Sequence, residues 1–329
     1  MSKHDLTHAR HDPVHCLAPG LFRSLKKGER KHSKLDVVYD YGNGKRIEFS
    51  GPEPLGADDL RILQGLVAMA GPSGLVLSPD PQTEAGQQLR LFLEPKWEAI
   101  QQDAMVVRGS YGALASEVGY ANKNDTERVR ECIERLWKVS IIAQNGRKRQ
   151  GFRLLSEYAS DEQDGKLYVA LNPMIARAII GGQHIRIDMA EVRKLQTDPA
   201  RLIHQRLCGW IDPGKSGRVE LGTLCSYVWP DEATNPNTIK KRCQKARKAL
   251  AELVAVGWKL DEYAKDKWEI GRPKAHDNGT RPTFSVPNPH VNGTRLDSGN
   301  PATAGPCGPF ANSIQDSLRI SIMRGTARA

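Results

Sequence analysis

Six bases fall within nine positions at 240–248: Lys240, Lys241, Arg242, Lys245, Arg247 and Lys248. Cys243, Ala246, Leu250, Leu253 and Val254 recur among and after them at the spacing of one helical face. On such a helix Lys241, Arg242, Lys245 and Lys248 lie opposite the apolar stripe. That arrangement suits a major groove. The inner face docks on its own domain, while outer Lys and Arg side chains reach phosphates and guanine edges. A second, weaker pattern covers 125–138, where Val129, Cys132, Ile133 and Leu136 form the stripe and Arg128, Arg135 and Lys138 lie away from it. Glu127, Glu131 and Glu134 dilute its positive charge. Two further cationic groups follow these helices: Arg147, Lys148 and Arg149 after the first, Lys265 and Lys267 after the second. Basic tips of this kind can track a phosphate backbone or enter a minor groove. Together these residues are the candidate contacts to double-stranded DNA.

Other chemistries find less support. His4, His8, His11 and His15 precede Cys16 at spacings that would share a helical face, yet Pro13 interrupts such a helix and no second ligand cluster completes a metal site. The six cysteines contain no C-x-x-C pair, and those at 132, 208, 225 and 243 fall among apolar neighbours as small hydrophobes do. There is no phosphate-cradling G-x-x-x-x-G-K-[S/T] loop. His184-Ile185-Arg186 lacks the second histidine of a DNA-nicking metal site, and no carboxylate pair is arranged to hold two metals. The expectation is therefore a binding protein: no catalytic residue, no cofactor, no metal, not an enzyme.

The elements that must position the basic residues are legible from an internal repeat. GALASEV (112–118) and GTLCSYV (222–228) match in register, and LWKVSII (136–142) lies over LVAVGWK (253–259). Each copy reads as a short helix, a gap, a longer helix and a Val-led exit into a strand. The longer helices are predicted at 125–138, opened by Asn124 with Glu127 as a capping box, and at 236–256, opened by Asn235-Pro236 and ended at Gly257. Hairpins should follow, from 140–144 with 151–159 around the tip NGRKRQ, and from 258–263 with 267–271 around AKD. KLYVAL (166–171) is a candidate third strand. An earlier hairpin is predicted around Asn43-Gly44, and an amphipathic helix over 58–70 stops at Gly71-Pro72.

The fold class expected is α+β, with two tandem winged-helix domains, each a helix-turn-helix plus β-hairpin. Boundaries fall at a basic N-terminal arm (1–34), an N-terminal winged-helix domain (35–171), a C-terminal one (172–274) and a disordered tail (275–329) rich in Pro, Gly, Asn, Ser and Thr. A length of 329 residues with 39% apolar content suffices for two cores, and the net charge of +10 suits a polyanionic partner. No apolar run is long enough for a membrane span and the N-terminus has no apolar segment typical of a secretory signal, so a cytoplasmic protein without a membrane partner is expected.

The stretches HDPVHCLAPGLFRSLKKGER (11–30), GKRIEFSGPEPLGADDLRILQGLVAMAGP (44–72), ERLWKVSIIAQNGRKRQGFRLLSEYASDE (134–162) and RLCGWIDPGK (206–215) closely resemble the iteron-binding replication initiator of IncQ-type broad-host-range plasmids. The resemblance spans 4–274 and thins at 120–126 and 231–247. It implies a protein that binds repeated origin sites, opens an adjacent A·T-rich region and works with a plasmid-encoded helicase and primase. It also implies a homodimer, formed through the N-terminal domain, during repression. A plasmid transcriptional repressor and a nicking initiator are the alternatives to separate from it.

Overall fold

The computed structural model describes residues 7–73, 75–77, 104–120, 122, 125–161, 165–180 and 182–274. The tail after 274, His4 and Asn124 lie outside these residues.

The N-terminal segment, read from sequence as an irregular arm, is ordered. β1 (His8–His11) leads into α1 (Pro13–Leu17), whose cap Asp12 accepts hydrogen bonds from the amides of Val14 and His15. Every residue of α1 is buried. The basic composition of this stretch hid its apolar members, Ala9, Val14, Leu17, Leu21 and Phe22, which anchor it in the core. β1 pairs antiparallel with β10 (Ile185–Asp188), far along the chain. The histidines consequently share no helical face: His8 and His11 are on the strand and His15 is on α1, its Nδ1 2.7 Å from Asp12 Oδ1.

β2 (Leu35–Asp40) and β3 (Lys45–Gly51) form the hairpin expected around Asn43-Gly44, both of which adopt positive φ as a tight hairpin turn requires. α2 (Ala57–Ser73) follows and continues beyond the predicted stop. It is the central helix, with Leu60, Ile62, Leu63, Leu66 and Val67 all fully buried. Gly65 permits its closest crossing: a Cβ there would fall 2.3 Å from Val118 Cγ1 and 2.8 Å from Leu114 Cδ1.

β4 (Leu75–Leu77) and β5 (Ala104–Gly109) precede the first repeat copy, α3 (Tyr111–Glu117) and α4 (Thr126–Trp137). The cap of α4 is Asp125, without a side-chain hydrogen bond. β6 (Ser140–Asn145) and β7 (Lys148–Arg153) then form a hairpin tighter than expected, turning at Gly146-Arg147. The second strand predicted at 151–159 is split. Leu154 is fully buried, and the chain leaves one sheet there to enter another as β8 (Leu155–Asp161). β9 (Lys166–Leu171), expected as a third strand of the first hairpin, pairs with β8 and β5 instead. The two four-stranded sheets are ordered β2-β3-β6-β7 and β4-β5-β9-β8.

α5 (Pro173–Ile180), β10, α6 (Met189–Lys194) and α7 (Asp198–Trp210) lead to the second copy: β11 (Ser216–Glu220), α8 (Leu221–Val228), α9 (Pro236–Ala255), β12 (Lys259–Ala264) and β13 (Lys267–Gly271). β13 is the middle strand of this last sheet, ordered β11-β13-β12. The fold is thus a mixture of helices and antiparallel sheets. One apolar core runs from Ala9 to Ile270 through both repeat copies. Among the described residues no helix is long and apolar enough to cross a membrane.

Candidate nucleic-acid interface

α9 opens on Asn235, whose side chain accepts from the Asn237 amide at 2.9 Å, with Pro236 in the first turn where a missing N–H costs nothing. Its buried residues are Ala246, Ala249, Leu250 and Leu253, all in the second half. Cys243 is half-buried, and Val254, expected inward, is 54% exposed because the helix rotates it past the core. The first turns project from the body. Asn237, Thr238, Ile239, Lys240 and Lys241 are exposed on every side, Ile239 to 46%. Between Pro236 and Glu252 the helix has no acid.

Its six bases divide by role. Lys240, Lys241, Lys245 and Lys248 are exposed and pair with no described residue. Arg242 is half-buried; it donates to the Asp231 carbonyl at 2.6 Å and lies 5.6 Å from the Trp229 ring centre. It fastens the loop between α8 and α9. Arg247 pairs with Asp266 in the β12–β13 turn, tying helix to hairpin. At that turn Lys265 is exposed, and Lys267 is 3.1 Å from Glu220 of β11.

The first copy presents a different surface. Arg128 donates to Asp58 at 2.6 Å and lies over the Tyr120 ring. Arg135, expected on the outer face, is 11% exposed and donates through Nε to Asp59 Oδ1 at 2.9 Å. Asp59 is fully buried and also accepts from Arg30 and from the Gly56 amide. Burial alone would lower the Arg135 pKa, but the Asp59 carboxylate raises it above the usual arginine value. The sequence reading of Arg135 as a DNA contact is therefore corrected: stripe and flank are adjacent on α4, and the flank packs against α2. Lys138 is 4.0 Å from Glu134, and Arg130 is 3.6 Å from Glu127, so acids accompany the bases along this helix.

The β6–β7 turn is the more open cationic feature of this half. Arg147, Lys148 and Arg149 are all exposed, Arg149 lying 3.8 Å from Glu48. The β2–β3 turn lies beside it, with the Gly146 amide donating to the Gly44 carbonyl at 3.0 Å. Lys45 and Arg46 thereby join the same edge, as Lys45 pairs in register with Asn145 and Arg46 with Gln144. Reading along the sequence missed these two. Their hairpin was legible, but the strand it pairs with is far away in the chain.

One buried cluster resembles a metal site in composition. Glu191, His204 and Cys208 bring ligand atoms within 4.8 Å of one another. Their contacts form a hydrogen-bond network: His204 Nε2 is 2.6 Å from Glu191 Oε2, which also accepts from Trp258 Nε1 at 3.0 Å. A 2.6 Å approach fits a charge-assisted hydrogen bond between the imidazole and the carboxylate.

No curated protein matches the chain. Among solved structures, a selenomethionine derivative of RctB domains 2 and 3 aligns with TM-score 0.49 and 13% identity, over 79% of this chain and 97% of that one. The Pi initiator protein in complex with iteron DNA aligns with TM-score 0.47 and 11% identity, over 84% and 100%. A family model described as Replication protein C (RepC) matches residues 3–274, the span from just before β1 to just past β13, and the chain therefore belongs to the RepC family of replication proteins.

Proposed function

We propose that this chain is a replication initiator of the IncQ plasmid type that binds directly repeated, double-stranded origin iterons through two tandem winged-helix domains, 35–171 and 172–274. The observation that carries the reading is the opening of α9: residues 237–241 are exposed, free of acids and bear the unpaired Lys240 and Lys241, and the exposed Lys245 and Lys248 follow. Membership in a family of replication proteins supplies the biological setting.

In this reading α9 enters a major groove, with Lys240, Lys241, Lys245 and Lys248 reaching phosphates or base edges. Its N-terminal amides add favourable potential for a phosphate. Lys265 at the β12–β13 turn touches the flanking backbone. The paired turns bearing Arg147, Lys148 and Arg149 do the same on a neighbouring groove, and tethering makes the second engagement intramolecular. Bending between the two stores strain in the flanking duplex, a start for melting the A·T-rich region. The chain carries out no covalent step. Helicase and primase encoded by the plasmid act after it, in the bacterial cytoplasm.

Nuclease footprinting on the cognate origin, combined with permanganate probing of unpaired thymines, tests the proposal. Protection of direct repeats with reactive thymines beside them supports it. Protection of a single palindrome without melting points to a repressor, and covalent attachment to supercoiled plasmid points to a nicking enzyme.

A further inference from the structure

A cavity of about 360 Å³ separates the N-terminal segment from the second helical repeat. Residues 16–20 with Phe22 and Tyr39 form one wall; Leu202 and Arg206 of α7, with Tyr227 of α8 and Pro230 after it, form the other. Its size is that of a small-molecule site, and most of its lining is apolar. Arg206 is the one cation in that lining. Its guanidinium carbon lies 4.7 Å from the Tyr227 ring centre, and its Nη1 is buried with no hydrogen-bond partner. No described carboxylate forms an ion pair with it.

Burial depresses the Arg206 pKa, and the groups that oppose this are Tyr227, Tyr39 and Cys16. None of these is a carboxylate. A cation in such surroundings is unstable until an anion or a hydrogen-bond acceptor reaches it. Two other arginines packed into the fold are met by backbone carbonyls: Arg61 donates to those of Val118 and Gly119, and Arg272 to those of Cys208 and Ile211. Arg206 differs from these two in having no described hydrogen-bond acceptor, and it lines the cavity.

From this geometry we infer that the cavity binds a small organic carboxylate, its anionic group on Arg206 and its apolar body between Tyr227, Tyr39 and the aliphatic wall. One guanidinium balances one negative charge. Asp40 also lines the cavity, and an acid nearby disfavours a dianion such as phosphate. Tyr227 supplies a flat face beside the cation, so an aromatic or planar carboxylate fits best. Such a ligand would touch α8 and the segment ending at Pro230, next to the Asp231 carbonyl that holds Arg242.

The test uses the full chain without DNA, at constant ionic strength. Benzoate, neutral benzamide and inorganic phosphate serve as probes, read by calorimetry and by thermal unfolding. Benzoate should bind about tenfold or more tightly than benzamide, as a charge-assisted hydrogen bond requires, and phosphate should not displace it. Arg206→Met should abolish benzoate binding while leaving the ligand-free protein at least as stable, because an uncompensated buried charge is removed. Absence of benzoate binding overturns the inference. So does equal binding by Arg206→Met, or phosphate competing as well as benzoate. A fall in ligand-free stability with unchanged binding assigns Arg206 a structural role instead.

Discussion

Replacing Arg135 by methionine and, separately, Lys245 by alanine separates the cations that hold the fold from those that hold DNA. Arg135 is 11% exposed and bonded to the fully buried Asp59. Removing one partner of a buried pair costs about 3–5 kcal/mol. Asp59 keeps Arg30 at 2.8 Å and the Gly56 amide at 2.7 Å, and methionine preserves much of the packing. The expected loss is accordingly at or below the lower end, about 2–3 kcal/mol. At about 2–4 °C per kcal/mol for a folded unit of this size, the melting temperature should fall by about 4–12 °C. Lys245 is exposed and unpaired, so its replacement should shift stability by no more than about 0.5 kcal/mol. The DNA readouts reverse. Fluorescence anisotropy with an iteron duplex at several salt concentrations should show the log–log slope shallower by about 1 for Lys245→Ala and unchanged for Arg135→Met at a temperature where both are folded. An Arg135→Met protein of undiminished stability with a shallower salt slope would refute the reasoning.

Removing Arg147 and Lys148 together should flatten the salt slope by about 1–2 with site preference nearly unchanged, and an unaltered slope would mean that the β6–β7 turn does not touch DNA. Gly65→Ala should destabilise by about 1–3 kcal/mol in urea titration, since Val118 and Leu114 leave no room for a methyl group; wild-type stability would show that α2 and α3 can separate cheaply. His11 is fully buried, and burial first, then His15, lowers its pKa to about 4 from 6.5. The unfolded chain therefore binds a proton that the native one refuses as pH falls from 6.5 towards 4. Stability is full above this window and declines through it, by about 2 kcal/mol at pH 5. His11→Leu should flatten that dependence in urea titrations at pH 7 and 5. A fragment beginning at Asn172 should unfold more readily than its own core suggests, because it loses the β1 partner of β10; circular dichroism at native-like stability would contradict this.

Periodicity and local chemistry determined much of this molecule. The repeat of helix, longer helix and hairpin, the Asn43-Gly44 turn, the Asn235-Pro236 opening of α9 and the acid-free run of bases on it all depend on neighbours within a few turns of chain. Such features are set by backbone geometry and by which face of an element is apolar. Long-range pairing was decided elsewhere. Nothing local distinguishes a basic arm from a strand waiting for Ile185–Asp188, or signals that Leu154 sends the chain into a second sheet. Likewise, Arg135 and Lys245 are alike in sequence, each a cation beside an apolar stripe. Only the packing of α4 on α2 brings Arg135 to Asp59, while no described carboxylate reaches Lys240, Lys241 or Lys245 of α9. A cation becomes structural or available according to whether a distant carboxylate reaches it, and that distance is a property of the tertiary fold alone.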